Sequence, residues 1–424
     1  MILLLLNKVM NRVMLSAFGP KLIISITLCL PIWAHSDSEA TIKGVEAFET
    51  RWVIPFLSSG SWGRGPHSNA ESCLDCHQPG ASPFLFKTNS NEIQPVILRV
   101  RDGNGASGHI NYGNEISRFG ITGKLHPEGD FDLNWYQKDM EGHLLRYPSA
   151  EITKLNFGPL ASSDTSSVRI GRDLTNIGML DSITKSQLQD IVDEQKLLGL
   201  NGRINYVIDP ITKTKNIGRY GYKASSPSLL DQVSKAFRDE LGVTSVMYPI
   251  NPCAGNPVVC SSLNSVGGLE ISQNRIKVLL TFIRTTSQPS PKKSDMRAST
   301  GKNLFKKIGC NHCHRSDLYV LSEHQTDTQY DRALYTDLLI HDMGSGLSDG
   351  MKEFLARPED WRTTPLSGIK KHLLAGGTLL HDGRAKSIKE AILWHDGEAK
   401  TSRGNYLSLD NEQKLLLEYF VRQL

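Results

Sequence analysis

A mainly α fold in two units, the first enlarged by irregular and short β segments, is the class this 424-residue sequence predicts. Three observations predict it. Apolar residues recur at helical spacing in both halves. The pattern Cys-x-x-Cys-His occurs twice, at Cys73-Leu74-Asp75-Cys76-His77 and at Cys310-Asn311-His312-Cys313-His314. Between the two runs lies Thr285-Thr286-Ser287-Gln288-Pro289-Ser290-Pro291-Lys292-Lys293, a polar stretch with two prolines that reads as a linker.

Taken in order, residues 1–36 read as an export signal. Lys8, Arg12 and Lys21 precede the apolar run from Leu22 to Leu30, and the small residues Ala34 and Ser36 offer a cleavage site after Ser36. The run is short for a span of about 20 residues, so cleavage is favoured over a retained anchor. The first unit, residues 41–284, carries its Cys-x-x-Cys-His run in a Gly/Ser/Pro-rich stretch from Ser58 to Gly80. Residues 81–165 are irregular, rich in Gly and Asn, with β-type runs such as Val96–Val100. Three helices follow. Residues 183–195 place Ile183, Leu188, Ile191 and Val192 on one face. Ser228–Leu241 does so with Leu229, Val233, Ala236 and Phe237, and Leu269–Arg284 with Ile276, Leu279, Leu280 and Ile283. After the linker at 285–294, the second unit, residues 295–424, opens with a helix through Gly301–Phe305 that runs into Gly309-Cys310. Its last helix begins near Asp410, with Gln413 in capping-box register and Leu415, Leu416, Tyr419 and Phe420 as the expected apolar face.

Two cysteines three apart can form thioethers to both vinyl groups of one haem, and the adjacent histidine then sits under the iron. A zinc site would want a second cysteine pair nearby and would not call for His after each second Cys. The expectation is therefore two covalently bound c-type haems, held by Cys73, Cys76 and His77 and by Cys310, Cys313 and His314, with His77 and His314 as iron ligands. Of seven cysteines, Cys29 leaves with the signal and four hold haem. Cys253 and Cys260 remain, and an oxidising compartment favours a loop disulfide over two free thiols. Signal, haem attachment and disulfide all point to the periplasm. A net charge of +4 with no basic block gives nucleic-acid binding no support.

Residues 295–424 resemble a cytochrome c domain. More specific are Gly63-Arg64-Gly65-Pro66 leading to Cys73, Gly218-Arg219-Tyr220-Gly221-Tyr222-Lys223-Ala224, Ser228-Leu229-Leu230-Asp231-Gln232-Val233, Leu338-Leu339-Ile340-His341-Asp342-Met343-Gly344 and Leu380-His381-Asp382-Gly383-Arg384-Ala385. On these stretches nearly the whole mature chain resembles the di-haem oxidoreductase family, also labelled thiol oxidoreductases. That family is related to the bacterial di-haem cytochrome c peroxidases. The resemblance implies two cytochrome c-like haem domains, the second haem an electron reservoir. Counting on from the His381-Asp382-Gly383 turn, as in the peroxidase relatives, lands on His395 as the second iron's distal ligand, with Met343 as the alternative. A bis-histidine haem has a lower potential than a His/Met one.

In those relatives the first haem meets peroxide. Tyr222 stands for their bridging Trp, Gln232 follows at the family spacing, and Glu240 falls two residues short of their catalytic Glu, with Asp239 beside it. A carboxylate is needed there to take a proton from one peroxide oxygen and deliver it to the other. Arg172-Asp173-Leu174-Thr175-Asn176 lacks the proline that relatives carry, so calcium near it and near Thr364-Pro365 is the weaker expectation. His109, His126 and His143 are candidate caps for the first haem. The function implied is an exported peroxidase-type enzyme that reduces hydrogen peroxide at the N-terminal haem. Its electrons would come from a small redox protein or other donor through the C-terminal haem. The alternatives are a di-haem oxidase of an organic or protein substrate and a non-catalytic electron-transfer cytochrome.

Overall fold

Local capping signals place the helices close to where their periodicity predicts them. The computed structural model describes residues 42–54, 61–77, 96–103, 108–121, 125–251, 269–285, 295–318 and 333–424. The export signal, the Cys253–Cys260 pair and nearly all of the linker lie outside these residues. Helix α1 (42–49) is followed by α2 (Lys185–Leu197), α3 (Leu229–Leu241), α4 (Gln273–Thr285), α5 (Met296–Lys307), α6 (Ile369–Leu374), α7 (Ile388–Trp394), α8 (Lys400–Leu407) and α9 (Asn411–Gln423). Thr184 caps α2 by accepting from the Gln187 amide at 3.2 Å, and Ser228 caps α3 by accepting from the Asp231 amide at 3.1 Å. The predicted capping box at Asp410 and Gln413 forms in both directions, at 2.8 and 3.2 Å. No helix among the described residues is long and apolar enough to cross a membrane.

The strands are β1 (Trp52–Val53), β2 (Ser61–Trp62), β3 (His67–Ser68), β4 (Val96–Arg101), β5 (Phe119–Gly120), β6 (Gly129–Met140), β7 (His143–Leu155), β8 (Thr165–Ile170), β9 (Tyr206–Ile208), β10 (Lys215–Ile217), β11 (Ile340–Asp342) and β12 (Asp360–Arg362). They pair two by two: β1 with β2 in parallel, and β3–β5, β4–β8, β6–β7, β9–β10 and β11–β12 antiparallel. The fold is thus mixed, and the expectation of a mainly α chain holds only in part. The main departure is the β6–β7 hairpin, whose strands of 12 and 13 residues exceed the short segments expected. Glu141 and Gly142 turn it, both at positive φ, 54° and 86°. A two-residue turn with that twist matches the twist of the strands it joins.

Helices α1 to α4 bury one core around Trp52, Leu180, Leu188, Phe237 and Leu279. A second core joins α5 to α9 through Leu304, Phe305, Leu417 and Phe420, with the Phe305 and Phe420 rings edge-on at 5.5 Å. These helices meet at Gly301, where an added Cβ would overlap the Leu416 carbonyl oxygen. The terminal helix therefore does cross the helix leading into the second Cys-x-x-Cys-His run. Its buried face is Leu417, Phe420 and Val421, and Leu415, expected inside, is exposed.

The long hairpin leaves its own half of the sequence. Leu145, Tyr147 and Met140 pack with Leu347, Trp361, Leu393 and Trp394. Arg146 donates to the carbonyls of Arg384 and Gly383 at 3.1 and 3.2 Å, and Glu141 at the tip pairs with Arg403 at 2.7 Å.

Candidate functional site

The first Cys-x-x-Cys-His run begins as a single 3-10 turn, Cys73–Asp75, closed by a capping box between Ser72 and Asp75. Its position is set from α3. The backbone amides of Gly65, Asn69 and Ala70 donate to the last carbonyls of α3, those of Leu241 and Glu240, at 3.0, 2.7 and 3.1 Å. These bonds satisfy helix-end acceptors that would otherwise be orphaned. Gly242 ends α3 at φ 68°, and a side chain there would collide with His67 and Gly65. Glu240 is thereby carried close to the run, near enough that its charge bears on Cys76.

His77 donates Nδ1–H to the Arg172 carbonyl at 2.6 Å, and His314 makes the same bond to the Tyr335 carbonyl at 3.0 Å. His395, ending α7, does so to Ala391 at 2.7 Å. A backbone carbonyl on Nδ1 fixes the tautomer and leaves Nε2 as the ligand nitrogen, the usual support for a metal-bound histidine. Burial lowers all three imidazoles, His314 to about 4, and His395 adds to the effect on His314. Burial also pushes the Cys73 and Cys310 thiols up to about 12. They are not poised as reactive thiolates.

A deep cavity opens around the second run. Cys310, Cys313, His314 and His395 line it, with Met343 also on its wall. Phe305, Leu347, Leu366, Ile388, Ile392 and Leu417 give it an apolar interior. At its rim several buried polar atoms have no protein partner: Arg172 Nη1, Ser367 Oγ, His372 Nδ1, Thr378 Oγ1 and Arg403 Nη1. Buried polar atoms are rarely left unpaired. An apolar slot with unpaired Arg172, Arg403, Ser367 and Thr378 donors among its lining residues suits a flat macrocycle that carries carboxylates, whereas His372 Nδ1, whose Nε2–H donates to the Thr378 carbonyl, is an acceptor. The residues present therefore fit a haem, which Cys310, Cys313, His314 and His395 would hold. Thr364 and Pro365, considered for calcium, are part of this same wall.

Tyr222 stands between the two runs. Its ring lies edge-on to Trp361 at 6.5 Å and to His381 at 6.4 Å, inside the second cavity. The Arg172 guanidinium is 5.6 Å from the ring centre, and the Arg172 carbonyl is the His77 partner. The hydroxyl donates to the Ile170 carbonyl at 3.2 Å, and burial pushes it up to about 12. Gln232 lies on α3 beside the Gly221 turn that presents Tyr222.

Glu240 is half-buried with Oε2 shut off from solvent. Its carboxyl lies close enough to that of Glu115 for each to bear on the other's charge, and Glu115 is a residue that sequence reasoning passed over because it sits in the irregular 81–165 stretch with no motif around it. Asp239, the alternative to Glu240, is already engaged and accepts from Asn114 at 3.0 Å and from Arg238 at 2.6 Å. Of the candidate caps, His109 has both ring nitrogens engaged, by Asp164 and the Asn111 amide, at 3.1 and 3.0 Å. His126 is exposed, and His143 sits at the turn of the β6–β7 hairpin. Trp361 and His341 were also missed as site residues. Trp361 stacks on His381 at 3.9 Å. His341 lies 4.0 Å from Cys313 Sγ, between Asp337 at 2.9 Å and Glu398 at 3.0 Å.

No curated protein matches the chain. Among solved structures, hydrazine synthase from Kuenenia stuttgartiensis pressurised with xenon matches at 21% identity with a TM-score of 0.27, over 37% of this chain. The chain spans 57% of the length of that protein. One family model matches residues 159–424, a span that includes the second run, Tyr222, Glu240 and His395. It is described as "Di-haem oxidoreductase, putative peroxidase", and on that match the chain belongs to the di-haem oxidoreductase family.

Proposed function

We propose that this protein reduces hydrogen peroxide at a haem on the first Cys-x-x-Cys-His run, using electrons relayed through a haem on the second. The supporting observation is that the two runs have unlike surroundings. At the second, His314 and His395 line one cavity, each with Nδ1 already bound. At the first, the carboxyls of Glu240, Asp75 and Glu115 bear on Cys76, and Asp173 and Arg172 bear on His77. Two nitrogen ligands close an iron to substrate and suit it to electron transfer. A buried carboxyl beside the other run suits proton transfer to and from peroxide.

In this reading Cys73, Cys76, Cys310 and Cys313 attach the haems covalently, and His77 and His314 are the proximal ligands. His395 rather than Met343 closes the second haem. Haem, when bound, supplies the redox chemistry, and the chain decides which face is open. Glu240 handles the protons, Gln232 shapes the pocket and Tyr222 lies on the electron path. Export to the periplasm and a small redox protein as donor complete the proposal.

The test is an EPR spectrum of the purified holoprotein, fully oxidised and after addition of one electron per molecule, alongside peroxide turnover. A high-spin ferric signal in either state, with turnover, is the expected result. Two low-spin signals that stay low-spin after one-electron reduction, without turnover, would leave an electron carrier.

A further inference from the structure

We propose that Glu115 is the positioning partner of Glu240, the two carboxyls sharing one proton in a buried hydrogen bond beside the first haem site. The inference rests on the peroxidase reading and deepens it. Glu115 is 5% exposed, comes from the stretch between β4 and β5, and accepts a hydrogen bond from Asn69 Nδ2 at 3.0 Å. Asn69 is itself pinned by its amide to the Glu240 carbonyl at 2.7 Å. The same short segment, four residues before Cys73, thus holds both acids. Among the described residues Glu240 Oε2 has no hydrogen-bond partner, and the Glu115 carboxyl lies near enough to offer it a proton.

Two carboxylates in contact away from water cannot both stay ionised, so the pair keeps a proton that either alone would lose near neutral pH. Burial and then Asp239 push Glu115 up to about 7. Burial and then Glu115 raise Glu240 well above the ordinary range. The charged groups facing the pair are Asp239, which raises both, and Arg99, which opposes both. Arg238 is held to Asp239, and Cys76 is uncharged.

One proton on two carboxyls is a useful state for peroxide chemistry. The ionised carboxyl takes the proton from the peroxide oxygen next to the iron, and the pair returns a proton to the departing oxygen. That oxygen leaves as water with the bonding electrons of the broken O–O bond. A bound haem pair, resupplied by the external donor, would supply the two electrons and solvent the two protons that the overall conversion of hydrogen peroxide to two waters needs. The pair ends with the one proton it began with.

The experiment uses the holoprotein with E115Q, E115D and E240Q. First, infrared difference spectra across the pH range read the carbonyl stretch of a buried protonated carboxyl. The band is expected in the wild type near neutral pH and is lost in both E115Q and E240Q. Its absence from the wild type would overturn the shared proton whether or not the protein turns over peroxide. Second, the alkaline limb of the kcat/KM profile for hydrogen peroxide, where the pair gives up its shared proton, is expected to be lost in E115Q, because only one carboxyl remains at the site. E115D restores it, and haem spectra stay unchanged. An E115Q profile that superimposes on the wild type would overturn the positioning role. Wild-type turnover in E240Q would instead sink the peroxidase reading while leaving the infrared result intact.

Discussion

His341 shows how much one side chain near the second haem site is asked to do. Both of its nitrogens face carboxylates, Asp337 and Glu398, and Asp337 above all, with the neighbouring Cys313 sulfur, raises it well above the usual imidazole value despite burial. Asp337 is fully buried, so His341→Ala would strand a charge and is expected to cost about 3–5 kcal/mol in a denaturant titration. A folded value raised above the unfolded 6.5 has a definite sign. The stabilisation is complete below about pH 6.5 and is lost as pH rises through the raised value, so the wild type weakens in alkali and the variant does not. Tyr222 carries a second expectation. Its hydroxyl reaches only the Ile170 carbonyl, which is no base, so the ring has nowhere to send a proton on oxidation. Tyr222→Phe is expected to leave the rate of electron transfer between the haems nearly unchanged in stopped-flow reduction, whereas Tyr222→Ala slows it. At His395 the expectation concerns potential. His395→Met raises the midpoint of the second haem in a redox titration, and Met343→Ala does not move it. The proposed attachment residues stand out in the sequence because a thioether haem needs its ligands within five consecutive positions. Glu115, Trp361 and His341 were not, because only tertiary folding brings them to the sites.

At the scale of elements, the crossing of α5 and α9 is the tightest joint in the C-terminal part. Leu417 is fully buried there, and Leu417→Ala is expected to cost about 2–5 kcal/mol in thermal or chemical unfolding. Gly301→Val should do comparable harm by a different route, since its side chain would press on the α9 backbone at Leu416. The helices were legible because each carries its own start signal and a 3.6-residue period. The face of α9 was misjudged because Leu415, Leu416 and Leu417 are consecutive, and adjacency alone cannot say which of three turns inward. The β6–β7 hairpin escaped notice although Phe131, Leu133 and Trp135 alternate as a strand should. Its turn is Glu141-Gly142, without the Asn-Gly or Asp-Gly pair that announces a two-residue hairpin.

Across the whole molecule the two candidate haem sites are joined by a short piece of main chain. Arg172 receives the His77 imidazole on its carbonyl, while its guanidinium lines the second cavity with Nη1 unpaired. A disturbance at one haem has a covalent route of a single residue to the other. The linker visible in the sequence thus separates the runs along the chain without separating their surroundings, because residues 40–424 make one contact unit. That closeness has a bearing on how the protein is made. The β6–β7 hairpin straps the outside of the second cavity through Trp361, Trp394 and Arg403, although it is synthesised long before them. If the walls take shape only around a cofactor, the hairpin would dock after the C-terminal half is loaded. Before loading, hydrogen exchange in β6 and β7 is expected to be fast. Afterwards it should slow together with exchange in α7 and α8, which would make the hairpin the latch that records a completed assembly.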